Sequence, residues 1–198
     1  MNNVIVYLIG PPGVGKYSTG KLLAERMPAK LLDNHYWCNP IFEIIEPDGR
    51  TPLPPAVWDR TNAVLTAVLE TVATLAPPDR NYVFTHAIWD DGGHPSDFMI
   101  AGQILSVAER RKARALMVRL SCGATELSGR VAAEERAKRL KTRDVSQAER
   151  LARLGPLNLN HDWIVDLDTT ELKPEAVADF VMAEISKNAL DQRRTAST

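Results

Sequence analysis

Cysteine is scarce. Cys38 and Cys122 are the whole complement and lie far apart in the chain. Such a pair builds no disulfide framework and cannot fill a four-ligand zinc site, so a reducing, cytoplasmic setting is expected. Net charge is also nearly absent, at −1. No global field therefore draws the chain to nucleic acid or to an anionic membrane. Long apolar runs are missing as well. The longest near the start, Val4–Ile9, is far short of the roughly 18 residues a membrane helix needs. It lacks the flanks of a signal peptide, so neither a leader nor a membrane anchor is expected. The sequence contains no repeat and no low-complexity segment.

Hydrophobic residues make up 44% of the 198 positions. That suffices for one α/β domain with a real core. Val4–Ile9 is apolar without alternation, as a parallel strand covered on both faces must be. Further strands are expected at Ala29–Leu32, Tyr82–Thr85, Ala113–Leu120 and Trp163–Leu167. Helices are expected over Lys16–Met27, Ala56–Ala76, Asp97–Lys112, Glu126–Leu154 and Pro174–Asn188. Residues 34–56 carry five prolines and read as an irregular loop or broken helix. Strands alternating with helices predict a three-layer α/β/α fold around a five-stranded parallel sheet with right-handed crossovers. Ligands of such folds sit beyond the carboxyl ends of the strands. Those ends are Gly10, Asp33, Thr85 with His86, Ser121, and Asp168. One domain over 1–190 is expected, with a flexible polar tail over 191–198.

The loop Gly10-Pro11-Pro12-Gly13-Val14-Gly15-Lys16 has the spacing of a phosphate-binding loop between a buried strand and a helix. Gly13 and Gly15 permit backbone conformations that let amides converge on phosphate oxygens. The helix N-terminus adds partial positive charge, and Lys16 reaches the terminal phosphates. ATP is the expected ligand. One position departs from the motif. A Ser or Thr normally follows the lysine to ligate Mg²⁺, and here the residue is Tyr17. Two readings stand: water and another side chain hold the metal, or Ser18 takes that role through a local shift. Ser18 also falls where a hydroxyl near the α-phosphate is expected, the favoured role. Ser18 and Asp33 are the candidate metal ligands.

With this loop, the short strand ending at Asp33, and Asp166-Leu167-Asp168-Thr169-Thr170, the chain resembles the small-molecule P-loop kinases. Shikimate kinase, gluconate kinase and chloramphenicol phosphotransferase are representative of them. Its Lys-Tyr-Ser variant looks like a bacterial subgroup of kinase-like ATPases. The resemblance implies that Asp33 faces the acceptor, as general base or to hold it in line. Asn34 and His35 follow as candidate contacts. It implies a mobile helical lid at about 123–154, where eight basic residues in Glu126–Arg153 outweigh five acidic ones. Arg136, Arg139 and Arg143 are its candidate catalytic arginines. It also implies that Asp168 and Thr169 border the adenine. Thr85 stands at the usual place of a Walker B acid. Asp90 and Asp91 are either substitute metal ligands or turn residues. Trp37, Trp58 and Trp89 flank the presumed acceptor region, lining it or packing in the core.

Three functions remain open from sequence: an ATP- and Mg²⁺-dependent phosphotransferase with a small-molecule acceptor, a nucleotide-binding sensor of weak turnover, and an ATPase without acceptor. No nucleic-acid partner is expected, since basic residues are not interleaved with aromatics. The acceptor and the oligomeric state are not encoded legibly.

Overall fold

The computed structural model describes residues 2–88, 95–134, 136, 140–154, 157 and 159–195. Five strands form one sheet: β1 (Val4–Ile9), β2 (Ala29–Asp33), β3 (Asn81–His86), β4 (Arg114–Ser121) and β5 (Ile164–Asp168). Their spatial order is β2-β3-β1-β4-β5 and every pairing is parallel. The helices among the described residues are α1 (Lys16–Arg26), α2 (His35–Ile45), α3 (Pro55–Thr74), α4 (Pro95–Arg111), α5 (Ala124–Ala132), α6 (Val145–Arg153) and α7 (Pro174–Thr195). None of them is long and apolar enough to cross a membrane.

The apolar run of β1 has its expected cause. Ile5, Tyr7 and Ile9 enter a core with Trp37, Leu65, Phe84 and Ile104, beneath α2, α3 and α4. Val4, Val6 and Leu8 enter a second core with Leu23, Leu127, Val177 and Val181, beneath α1, α5 and α7. Both faces of the strand are therefore dry, and alternation vanishes from the sequence. Cys38 and Cys122 are free and buried.

Three local expectations need correction. Residues 35–45 are helical despite Pro40. The proline is exposed on the outer face, while Trp37, Cys38 and Phe42 are buried on the inner one. Tertiary burial of that inner face outweighs the roughly 3 kcal/mol a helix-interior proline costs. The expected helix over 126–154 is two shorter ones, α5 and α6, packed on each other and separated by residues 133–144. Asp144 stops continuity by capping α6, its carboxylate accepting from the Gln147 amide. Finally, α7 extends to Thr195, past the end expected for it at Asn188.

Candidate functional site

The strand order places β1 between β3 and β4, so the chain connections diverge on either side of β1 at its carboxyl end. A crevice opens at such a switch point. The loop Gly10–Lys16 leaves β1 there and enters α1. Gly13 and Gly15 have φ of +94° and +99°. Gly15 is the N-cap of α1, which has no side-chain cap and no acidic residue in its first turn. The first amides of the helix are thus left to an outside acceptor. Pro11, Pro12 and Val14 are buried in the loop's underside.

Lys16 is 8% exposed. Its ammonium donates to the carbonyls of Gly10 at 2.7 Å and Pro11 at 2.8 Å. Burial, and then the positive charges of Lys141 and Arg136, push its pKa well below the ordinary lysine value, with Asp33 pulling the other way. An arriving anion would relieve that tension by stabilising the charged ammonium.

Parallel pairing sets Asp33 beside Thr85 across the β2–β3 boundary. The Thr85 hydroxyl donates to Asp33 Oδ2 at 2.7 Å, and the His35 amide donates to Oδ1 at 3.1 Å. Lys141 Nζ lies 3.3 Å from Oδ2. Burial would raise the Asp33 carboxyl; Lys141, Thr85 and His35 outweigh it and hold the pKa below its ordinary value. Thr85, at the place of a Walker B acid, thus serves here as a donor that fixes a carboxylate from the neighbouring strand. His86 ends β3 and shares a 3.2 Å hydrogen bond with the Tyr7 hydroxyl through Nδ1. Burial, then the charge of Lys16, lowers its pKa to about 3. Burial, then Lys141, lowers that of His35 to about 4, while His35 Nδ1 bonds Asn39 Oδ1 at 2.9 Å. Both imidazoles are neutral polar walls at physiological pH.

The segment between α5 and α6 reaches this cluster. Its cation on Asp33 is Lys141, which sequence reading did not single out. The Lys141 ammonium also stands 4.6 Å from the centre of the Tyr17 ring. Of the expected arginines, Arg136 couples to the cluster: its Nε donates to the Thr142 carbonyl at 2.9 Å, and its charge acts on Lys16 and interacts with that of Asp33. Arg143 instead docks by its backbone, its amide donating to the Gly49 carbonyl at 3.2 Å. Arg139 lies outside the described residues, as do Trp89, Asp90 and Asp91. The sequence offered no signal for ranking these cations.

At the far side of the loop, Thr169 is buried and its hydroxyl lies 3.1 Å from the Val14 carbonyl and 2.9 Å from that of Ser121. Asp168 is exposed and turns back to accept from the Thr170 amide at 2.8 Å. Arg130 donates to the carbonyls of Thr169 at 3.0 Å and Thr170 at 3.1 Å. This clamp was missed too; only its position on α5, facing the end of β5, reveals it. Trp37 is a core residue whose ring meets His86 edge-on at 6.0 Å, whereas Trp58 is 47% exposed and touches Phe42.

A divalent ion held by protein side chains does not fit these residues as arranged. Position 17 carries a phenol whose ring faces the Lys141 ammonium, and Ser18 is exposed one residue further on. Asp33 Oδ2 already accepts from the Thr85 hydroxyl and the Lys141 ammonium, whose charge opposes a second cation there. Among the described residues no group of three or more His, Cys, Asp or Glu is arranged for a metal.

No family model and no curated protein matches the sequence. Solved structures do match the fold. A gluconokinase from Sinorhizobium meliloti superposes with a TM-score of 0.64 at 15% identity, over 98% of this chain and 97% of that one. Shikimate kinase from Aquifex aeolicus gives 0.52 at 16% identity, over 94% and 98%. The tunicamycin resistance protein of Deinococcus radiodurans gives 0.53 at 17% identity, over 92% and 95%. With its 2-3-1-4-5 parallel sheet and glycine-rich loop after the first strand, the chain has the fold of the P-loop small-molecule kinases.

Proposed function

We propose that this chain is a phosphotransferase that moves the γ-phosphoryl group of ATP to a hydroxyl of a small-molecule acceptor. The observation that carries the reading is the charge arrangement. Lys16, Lys141 and Arg136 converge around the buried carboxylate of Asp33 at the mouth of the glycine loop. Among the described residues these three cations outnumber the buried carboxylate they surround, leaving a surplus of positive charge beside a preformed anion cradle. The two nearby imidazoles stay neutral and do not disturb that surplus. A polyphosphate satisfies it.

The roles follow from position. The loop from Gly10 to Lys16, with Tyr17 and Ser18 at the start of α1, holds the phosphates, and Lys16 exchanges its carbonyl partners for them. Thr169 and Asp168, clamped by Arg130, border the nucleoside. Among the described residues, Asp33 Oδ1 accepts only the His35 amide and keeps a lone pair for the acceptor hydroxyl. A carboxylate held below its ordinary pKa is a weak base, so its first task is to orient that hydroxyl in line with phosphorus. Transfer breaks the bond between phosphorus and the ADP oxygen and forms one to the acceptor oxygen, whose proton passes to Asp33 as the new bond forms. Residues 1–190 act as one domain, and 123–154 as its lid, excluding water and bringing cations to the transferring group.

Calorimetry with ATP, followed by ADP release with and without pooled metabolites, tests this. Lys16→Met should weaken ATP binding roughly 10- to 100-fold, the loss of charge-assisted hydrogen bonds. Asp33→Asn should leave ATP binding in place and abolish metabolite-stimulated release. Release that no metabolite stimulates would point to an ATPase, and binding without release to a nucleotide sensor.

A further inference from the structure

We infer that Tyr17, the residue that departs from the phosphate-loop motif, is the seat for the lid's ammonium: its ring positions Lys141 over Asp33 as the lid cation of the transfer. This rests on the phosphotransferase reading above. Three observations converge on it. Lys141 Nζ is 4.6 Å from the Tyr17 ring centre and 3.3 Å from Asp33 Oδ2, so one ammonium bridges the loop helix and the acceptor carboxylate. Lys141 and Asp33 are enclosed, their side chains being 14% and 10% exposed, and Tyr17 is partly buried; cation–π attraction gains strength as its cation is desolvated. The lid backbone is also pinned independently. The Arg143 amide and the Thr142 hydroxyl both donate to the Gly49 carbonyl, at 3.2 and 3.3 Å. Gly49 belongs to a turn that Asp48 holds by accepting from the amides of Arg50 and Thr51. Lys141 is thus delivered by a fixed segment.

Chemistry explains the substitution at position 17. A serine or threonine hydroxyl there is too short to touch an ammonium seated above Asp33, and it offers no π face. A phenol trades a hard oxygen ligand for an aromatic platform. The loop gives up a metal-binding hydroxyl and gains a docking point for a lysine. That lysine sits on the Asp33 carboxylate at 3.3 Å, and its charge is felt by Lys16. As negative charge spreads over the equatorial oxygens of the transferring group, an ammonium fixed between the Tyr17 ring and Asp33 stabilises it without reorganisation.

The experiment compares wild type with Tyr17→Phe, Tyr17→Leu and Lys141→Met. Amide hydrogen exchange at Lys141 and Arg143 is measured without nucleotide, and ATP affinity is measured in EDTA and in excess Mg²⁺. Tyr17→Leu and Lys141→Met should each speed exchange roughly 5- to 30-fold, the range of a partly desolvated cation–π contact. Each should also weaken ATP binding in EDTA by a similar factor, and by less in Mg²⁺. Tyr17→Phe, which keeps the ring, should restore what Tyr17→Leu removes. Unchanged exchange in Tyr17→Leu overturns the seat. A Tyr17→Phe variant as damaged as Tyr17→Leu overturns it too, because the hydroxyl would then be the working part. Wild-type protein that fails to bind ATP refutes the phosphotransferase reading, while the nucleotide-free exchange still decides whether Tyr17 seats Lys141.

Discussion

Lowering the pH from about 7.5 to about 5.5 should destabilise this protein by roughly 2.7 kcal/mol through two histidines. His86 has a folded pKa of about 3 and His35 of about 4, against an ordinary value of 6.5. Both are depressed first by burial, so the folded state binds fewer protons than the unfolded chain between about 6.5 and the folded values. Stability therefore rises with pH across that window and is lost as pH falls through it. At pH 5.5 the unfolded chain gains about 1.4 kcal/mol for each histidine it protonates. Asp33, also depressed, contributes with the same sign only near and below its ordinary value of 3.8, outside this window. The assay is urea denaturation at closely spaced pH values, with imidazole titration by NMR to assign the groups. His86→Phe should roughly halve the slope. It should also lower stability at pH 7.5, because the Tyr7 hydroxyl loses its partner. A loss below about 1 kcal/mol between the two pH values, or a His86 resonance that titrates near 6.5, would refute the reasoning.

Two further outcomes concern the scaffold. Gly10→Ala should cost roughly 3 kcal/mol or more, because φ is +142° and a Cβ would lie 2.2 Å from the Leu120 carbonyl oxygen. Gly15→Ala, at φ +99° but facing open space, should cost only about 1–2 kcal/mol; chemical denaturation ranks the two. Arg130→Ala should cost about 2 kcal/mol through the stranded Thr169 and Thr170 carbonyls. Exchange at the Gly123 amide, which donates to the Thr170 hydroxyl at 2.8 Å, should speed up with it.

Elements whose cause is local were legible in advance. The double-sided burial of β1 leaves a continuous apolar run, and Gly-Lys after a buried strand places a phosphate loop. Asp33 and Thr85 were each visible as strand ends. That they hydrogen-bond to each other was not, because parallel neighbours β2 and β3 are separated by nearly fifty residues of chain, a register that no local signal carries. The helix over His35–Ile45 was hidden by Pro40, since a propensity rule cannot see that Trp37 and Phe42 will be buried on the opposite face.

The segment between α5 and α6 divides the two kinds of information most clearly. Sequence by itself determined that a basic segment follows β4 and that position 17 breaks the hydroxyl rule of the loop. It left these as separate facts, because charge count and helical spacing do not say which cation turns inward. Only the tertiary structure joined them. Docking of residues 142–143 on the Gly49 carbonyl carries Lys141 across the crevice to the Tyr17 ring and the Asp33 carboxylate. The physical reason is that such a contact depends on an anchor far away in sequence, the Gly49 carbonyl, which the segment after β4 meets only once the parallel sheet has brought the carboxyl ends of β2 and β4 to the same side.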